Sequence, residues 1–180
     1  GSCNFHRVKE EKSDVTSVQT ALPQIDGYNS AIPFDDNFVC TGADGRIDIL
    51  SPSGKIIVSS TFPGESFYSI ITDGSLIIAG GGEGIIRIST DGKSFHKIAA
   101  NTSRRINTLA GFNDLIIAGS DDGVVVTGSI GSSFSESHLN LKGDIVSLSA
   151  GESECFGVTD EGEIIRSKDG KSWTILDFRS

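Results

Sequence analysis

Apolar residues in this chain come in short runs bounded by glycine and aspartate, and no segment holds them at helical spacing. Between residues 67 and 99 the runs are Phe67–Thr72, Leu76–Gly80, Ile85–Ser89 and Phe95–Ala99. Asp73-Gly74-Ser75, Gly81–Gly84 and Thr90–Ser94 separate them. Runs this short, rich in isoleucine and closed by turn residues, predict buried strands, because helices need at least ~10–12 residues. The fourth run of each unit is more polar, as in His96-Lys97 or Ser135-Glu136-Ser137-His138. A sheet whose last strand faces water at an open edge predicts that gradient.

The four-strand pattern returns every 39 residues. Acid-glycine pairs fall at Asp44-Gly45, Glu83-Gly84, Asp122-Gly123 and Glu161-Gly162. A hydroxyl recurs at Ser30, Ser69, Thr108 and Ser147, an apolar residue at Val39, Ile78, Ile117 and Phe156, and a small one at Cys40, Ala79, Ala118 and Gly157. Four-stranded antiparallel units at a period near 40 predict blades of a β-propeller, each unit burying its apolar faces against its copies. The expected fold class is all-β, with one repeat domain over residues 27–180 divided at 27–65, 66–104, 105–143 and 144–180, preceded by a tail at 1–26. Stepping back one period from the second unit also predicts a strand near Thr16–Leu22.

The chain carries a formal net charge of −9, and no run of Lys or Arg interrupts it. Nucleic acid and anionic membrane surfaces are therefore excluded as expected partners, since both need a basic patch. No apolar stretch approaches the ~18 residues of a membrane span. Gly1-Ser2 reads as a cloning remnant, and the cysteine after it, Cys3, resembles the lipidated start of a mature bacterial lipoprotein. That placement implies an extracytoplasmic, lipid-anchored protein; the alternative is a fragment of a longer chain. Cys40 and Cys155 read as small core residues, because free cysteine is commonly buried. A disulfide between them would require the end repeats to be neighbours.

Two turns share a further signature, Ser89-Thr90-Asp91-Gly92-Lys93-Ser94-Phe95 and Ser167-Lys168-Asp169-Gly170-Lys171-Ser172-Trp173. Ser51–Lys55 and Gly128–Phe134 are weaker copies. The pattern resembles the Asp-box, or BNR repeat, of sialidases and of photosystem II assembly-factor-like propellers. The resemblance implies a hairpin between the third and fourth strands of a blade, on the outer rim. There Asp91 and Asp169 would satisfy turn N–H groups, and Phe95 and Trp173 would pack between blades. These four residues are expected to be structural.

No catalytic constellation is visible. A sialidase would need an arginine triad, a Tyr/Glu pair, an acid–base Asp and six blades. This chain has two tyrosines and about four units, so it is not expected to be an enzyme. His6, His96 and His138 lie apart and have no nucleophile partner at recognisable spacing, and no cofactor or metal is expected. The acid-glycine pairs suit tight hairpin turns rather than a ring of ligands. The connections between units supply the candidate ligand-binding residues, Tyr28, Phe62, Tyr68, Arg104 and Arg105, all expected on the face of the acid-glycine turns. Aromatic and arginine side chains dominate interface energetics. They point to a non-catalytic module whose loop face holds a protein partner; a carbohydrate-binding module or a piece of a larger glycosidase-like propeller are the alternatives. Three outcomes are open to four units, which are closing alone, pairing with a second copy, or belonging to a longer propeller, and exposed apolar blade ends favour homo-oligomeric assembly or a longer parent.

Overall fold

The computed structural model describes residues 27–176. They form four antiparallel four-stranded sheets, each built from strands consecutive in sequence. The first sheet comprises β1 (Tyr28–Phe34), β2 (Asn37–Gly42), β3 (Arg46–Leu50) and β4 (Ile56–Thr61). The second comprises β5 (Phe67–Thr72), β6 (Ile77–Gly81), β7 (Ile85–Ser89) and β8 (His96–Ala99). The third comprises β9 (Ile106–Phe112), β10 (Leu115–Ser120), β11 (Val124–Gly128) and β12 (Ser135–His138). The fourth comprises β13 (Ile145–Ala150), β14 (Cys155–Thr159), β15 (Ile164–Ser167) and β16 (Trp173–Leu176). The expected β-propeller blades are present, and the polar strands β8 and β12 lie at outer edges. The strand expected near Thr16–Leu22, and Cys3, lie outside the described residues. Among the described residues no helix is long and apolar enough to cross a membrane.

Sheets follow one another in chain order, with β1 packed on β5, β5 on β9 and β9 on β13. The apolar residues accordingly form three cores, one per junction. The first joins Val39, Ile47 and Ile49 to Phe67, Ile77 and Phe95. The second joins Ile78 and Ile86 to Ile106, Ile116 and Phe134. The third joins Ile117 and Val125 to Ile145, Cys155 and Ile165, with Trp173 at its margin. Each fully buried Ile or Phe contributes roughly 1.5–3 kcal/mol.

The periodic markers now acquire roles. Val39, Ile78 and Ile117 face the following blade, whereas Ile77, Ile116 and Cys155 face the preceding one. The first residue of each inner strand acts as a knob: Phe67, Ile106 and Ile145 are all completely buried. A Cβ on Gly80 would come within 2.8 Å of Ile106, and one on Gly119 within 2.5 Å of Ile145. These glycines are sockets that admit the next blade's knob. The hydroxyl marker ties backbones across junctions: Ser69 Oγ accepts from Leu109 N at 3.0 Å, and Thr108 Oγ1 accepts from Leu148 N at 3.2 Å.

Turns are set locally. In Asp44-Gly45, Glu83-Gly84 and Asp122-Gly123 both residues have φ between 53° and 65°, the geometry of a type I′ hairpin. Glu161 departs from this, and only Gly162 of that pair has positive φ. In the turn between the third and fourth strands, Asp91 Oδ1 accepts from Lys93 N and Ser94 N, both at 2.8 Å. Asp169 repeats this with Lys171 N and Ser172 N. Those N–H donors hold Asp91 down to about 2, and Asp169 well below the usual carboxylate range.

One junction carries a charge. Arg87 lies between the first and second blades, its Nε 2.7 Å from Glu65 Oε2 and its Nη2 2.9 Å from Glu65 Oε1. Its guanidinium carbon sits 3.8 Å from the centre of the Phe62 ring, which in turn meets Phe67 and Phe95 edge-on. Both charged side chains are only 12–15% exposed.

Two outcomes follow from these contacts. Carboxylates held low in the fold stabilise it above their unfolded value, and that stability drains as pH falls through the folded one. Stability should therefore decline from about pH 4 toward pH 2. The double substitution Asp91→Asn, Asp169→Asn should flatten that decline in urea titrations across the range. Second, Arg87→Ala leaves the largely covered Glu65 with only the exposed Lys97 Nζ, 3.8 Å away, and should cost about 3 kcal/mol. Arg105→Ala, on an exposed ion pair, should cost under about 1 kcal/mol by the same denaturation measurement.

Candidate functional site

The face of the acid-glycine turns gathers three of the five residues expected there. Arg105 Nη2 lies 3.1 Å from Asp121 Oδ1 and 3.7 Å from Asp144 Oδ2, and its Nε donates to Asn107 Oδ1 at 2.7 Å. Its guanidinium carbon is 5.6 Å from the centre of the Tyr68 ring. Arg104 pairs with Asp122. The neighbouring turns are tied in by carboxylates, with Asp122 N donating to Asp144 Oδ1 and Asp144 N to Asp160 Oδ1, both at 2.8 Å. The two cations are thus already met by anions of their own chain. Phe62 joins the Asp44-Gly45 turn through its backbone, its N donating to Gly45 O at 2.9 Å, but turns its ring into the first junction beside Arg87.

Tyr28 stands apart on the outer face of the first blade. Its hydroxyl donates to Asp48 Oδ2 at 2.5 Å, the same oxygen that accepts from Arg46 Nε. Burial, and then this hydrogen bond, push the Tyr28 hydroxyl up to about 12. Asp48 is fully buried, yet its Oδ1 has no partner. The expected structural residues Asp91, Phe95, Asp169 and Trp173 lie in the turns and junctions already described. Cys40 and Cys155 are free thiols in different sheets, and burial pushes both up. Among the described residues no cluster of three or more His, Cys, Asp or Glu could hold a metal ion.

A concavity opens on the opposite face, where first strands turn into second and third into fourth. It has a volume of about 830 Å3 and spans the second, third and fourth blades. Ile71, Leu76, Leu109, Leu115, Ile130 and Leu148 supply its aliphatic wall. Asp73 and Asp114, both exposed, bring carboxylates to it. Asp73 is fixed by its own turn: Oδ1 accepts from Ser75 N, Ser75 Oγ and Leu76 N. Those donors hold it below the usual carboxylate range.

Ile130 is the residue that periodicity alone passes over. It occupies the position one period after Asp91 and one period before Asp169. Where those blades place a turn-capping carboxylate, the third places an aliphatic side chain that is 49% exposed. The signal was in the weak copy Gly128–Phe134, which, like Ser51–Lys55, lacks the aspartate at that step.

No protein-family profile matches the chain, and neither does any curated protein. Among solved structures it is similar to the computationally designed Ika8 protein, with a TM-score of 0.64 at 16% identity. The superposition covers 83% of this chain and 49% of that one. This chain therefore spans about half the length of the designed protein, and the likeness is one of fold.

Proposed function

We propose that this chain is a non-catalytic β-propeller interaction module that grips a segment of a protein partner in the cavity of the second to fourth blades. One observation carries the reading. Ile130 stands half exposed at the mouth of an aliphatic cavity, in the turn position that two other blades give to aspartate. A pocket of this size suits one or two apolar side chains. Asp73 and Asp114 favour a lysine or arginine beside them, and the chain's net charge of −9 steers basic partners toward it.

The lining contains no His, Cys, Lys or Arg, and Asp73 is tied up by the N–H and O–H donors of its own turn, which suits it to pairing with a cation. It also contains no aromatic ring on which a sugar could stack. Both points favour a peptide over a glycan. On the other face, Arg104 and Arg105 are engaged by Asp121, Asp122 and Asp144, so a partner there would have to displace them.

Selection from a displayed random-peptide library tests this. Enriched peptides should carry an aliphatic residue next to Lys or Arg. Their binding should weaken about tenfold or more with Ile130→Asp or with Asp73→Lys plus Asp114→Lys, the scale of an interface hot spot. Tyr68→Ala plus Arg105→Ala should leave it unchanged. Binding lost with the latter pair alone would move the site to the loop face.

A further inference from the structure

The three junctions share one set of knobs, sockets and second-strand contacts, and among the described residues a fourth such junction is missing. Among the described residues the inner strand β13 is not packed on β1 as β5 is on β1, so the row of described blades is open. The strands of the middle blades are buried on both faces, as in β6 and β11. In the fourth blade β14 alternates between buried and exposed residues. Phe156 is 42% and Val158 38% exposed there, while on the first blade Phe38 is 45% and Tyr28 37% exposed.

We infer that two copies of this chain close head to tail into one ring of eight blades, the fourth blade of each packing on the first blade of the other. The contacts that the existing junctions share have their halves on these two faces. Phe156 follows Val39, Ile78 and Ile117, and Phe38 precedes Ile77, Ile116 and Cys155. The two exposed phenylalanines thus take the positions of a buried apolar pair. Tyr28 precedes the knobs Phe67, Ile106 and Ile145, and Val158 follows the sockets Thr41, Gly80 and Gly119. At the first junction the same two periodic positions hold Phe67 and Thr41, an aromatic and a β-branched residue that are both fully buried, and Tyr28 with Val158 repeats that pair of types. Ser147 follows Ser69 and Thr108, whose hydroxyls accept the next blade's N–H; its donor by register is Ala31 N of the other copy.

Charge agrees. The open face of the fourth blade carries Arg166, which makes no ion pair among the described residues. The open face of the first carries buried Asp48 with its unmet Oδ1. Blade count selects two copies. A junction joining unlike faces makes a ring when the rotation closes. Propellers typically hold four to eight blades. Four described blades whose ends stay apart reach a ring from identical copies, within that range, only at eight.

Light scattering coupled to size exclusion tests this on the chain as it stands. The expected mass is twice the 18.9 kDa of one chain. Phe38→Glu and Phe156→Glu should each halve it while cooperative unfolding persists. Should Phe156→Glu not unfold cooperatively, Val158→Arg probes the same face. A wild-type mass of one chain overturns the inference, and so does a growing series of larger masses. A dimer that survives Phe38→Glu but not Phe156→Glu would mean like faces paired, which overturns it too.

Discussion

The middle sheets of this protein are buried on both sides, and everything else follows from the need to cover two apolar faces. A four-stranded antiparallel sheet has two faces, so a blade needs a neighbour before and a neighbour after. The chain meets that need with one interface repeated three times. In each, a second-strand aliphatic meets its counterpart and an inner-strand knob enters the preceding blade. Because the interface is directional, the blades have an order and the row has two unlike ends.

Polar groups then secure what burial drives. The Ser69 and Thr108 hydroxyls hold adjacent inner strands at fixed height, since a hydrogen bond fails where a greasy contact would merely slide. Asp91 and Asp169 close the turns from within, which lets Gly92 and Gly170 lie against the preceding blade; a Cβ on Gly92 would come within 2.6 Å of Ile49. Arg87 and Glu65 make the first junction unlike the others, where Val126 and Ile165 fill the equivalent position. The cavity is the other local exception, opened where Ile130 replaces a capping aspartate.

The strands and the blade architecture were legible because period, turn residues and apolar runs agree at every level. The second unit shows how closely: its expected first and third strands, Phe67–Thr72 and Ile85–Ser89, match β5 and β7 in full. Recurrence of Ser30, Ser69, Thr108 and Ser147 was visible too, but not the atom that each hydroxyl would serve. That depends on which face of the neighbouring blade lies opposite. The loop residues were harder still. Arg104 and Arg105 read as free cations until three-dimensional proximity brought Asp121, Asp122 and Asp144 to them, and Phe62 read as a surface aromatic until Arg87 covered its ring. Long-range pairing of loop side chains leaves no periodic trace.

A row of blades coupled only to nearest neighbours behaves like a short one-dimensional lattice. An interior unit is held from two sides and a terminal unit from one, so opening begins at the ends. β16 of the fourth blade and β4 of the first, each at the rim of a half-covered sheet, are the natural starting points for fraying. Joining the ends of such a lattice does more than add area, because it leaves no unit terminal. Every blade would then have to break two contacts to leave, and melting that could proceed one unit at a time would become a single collective event.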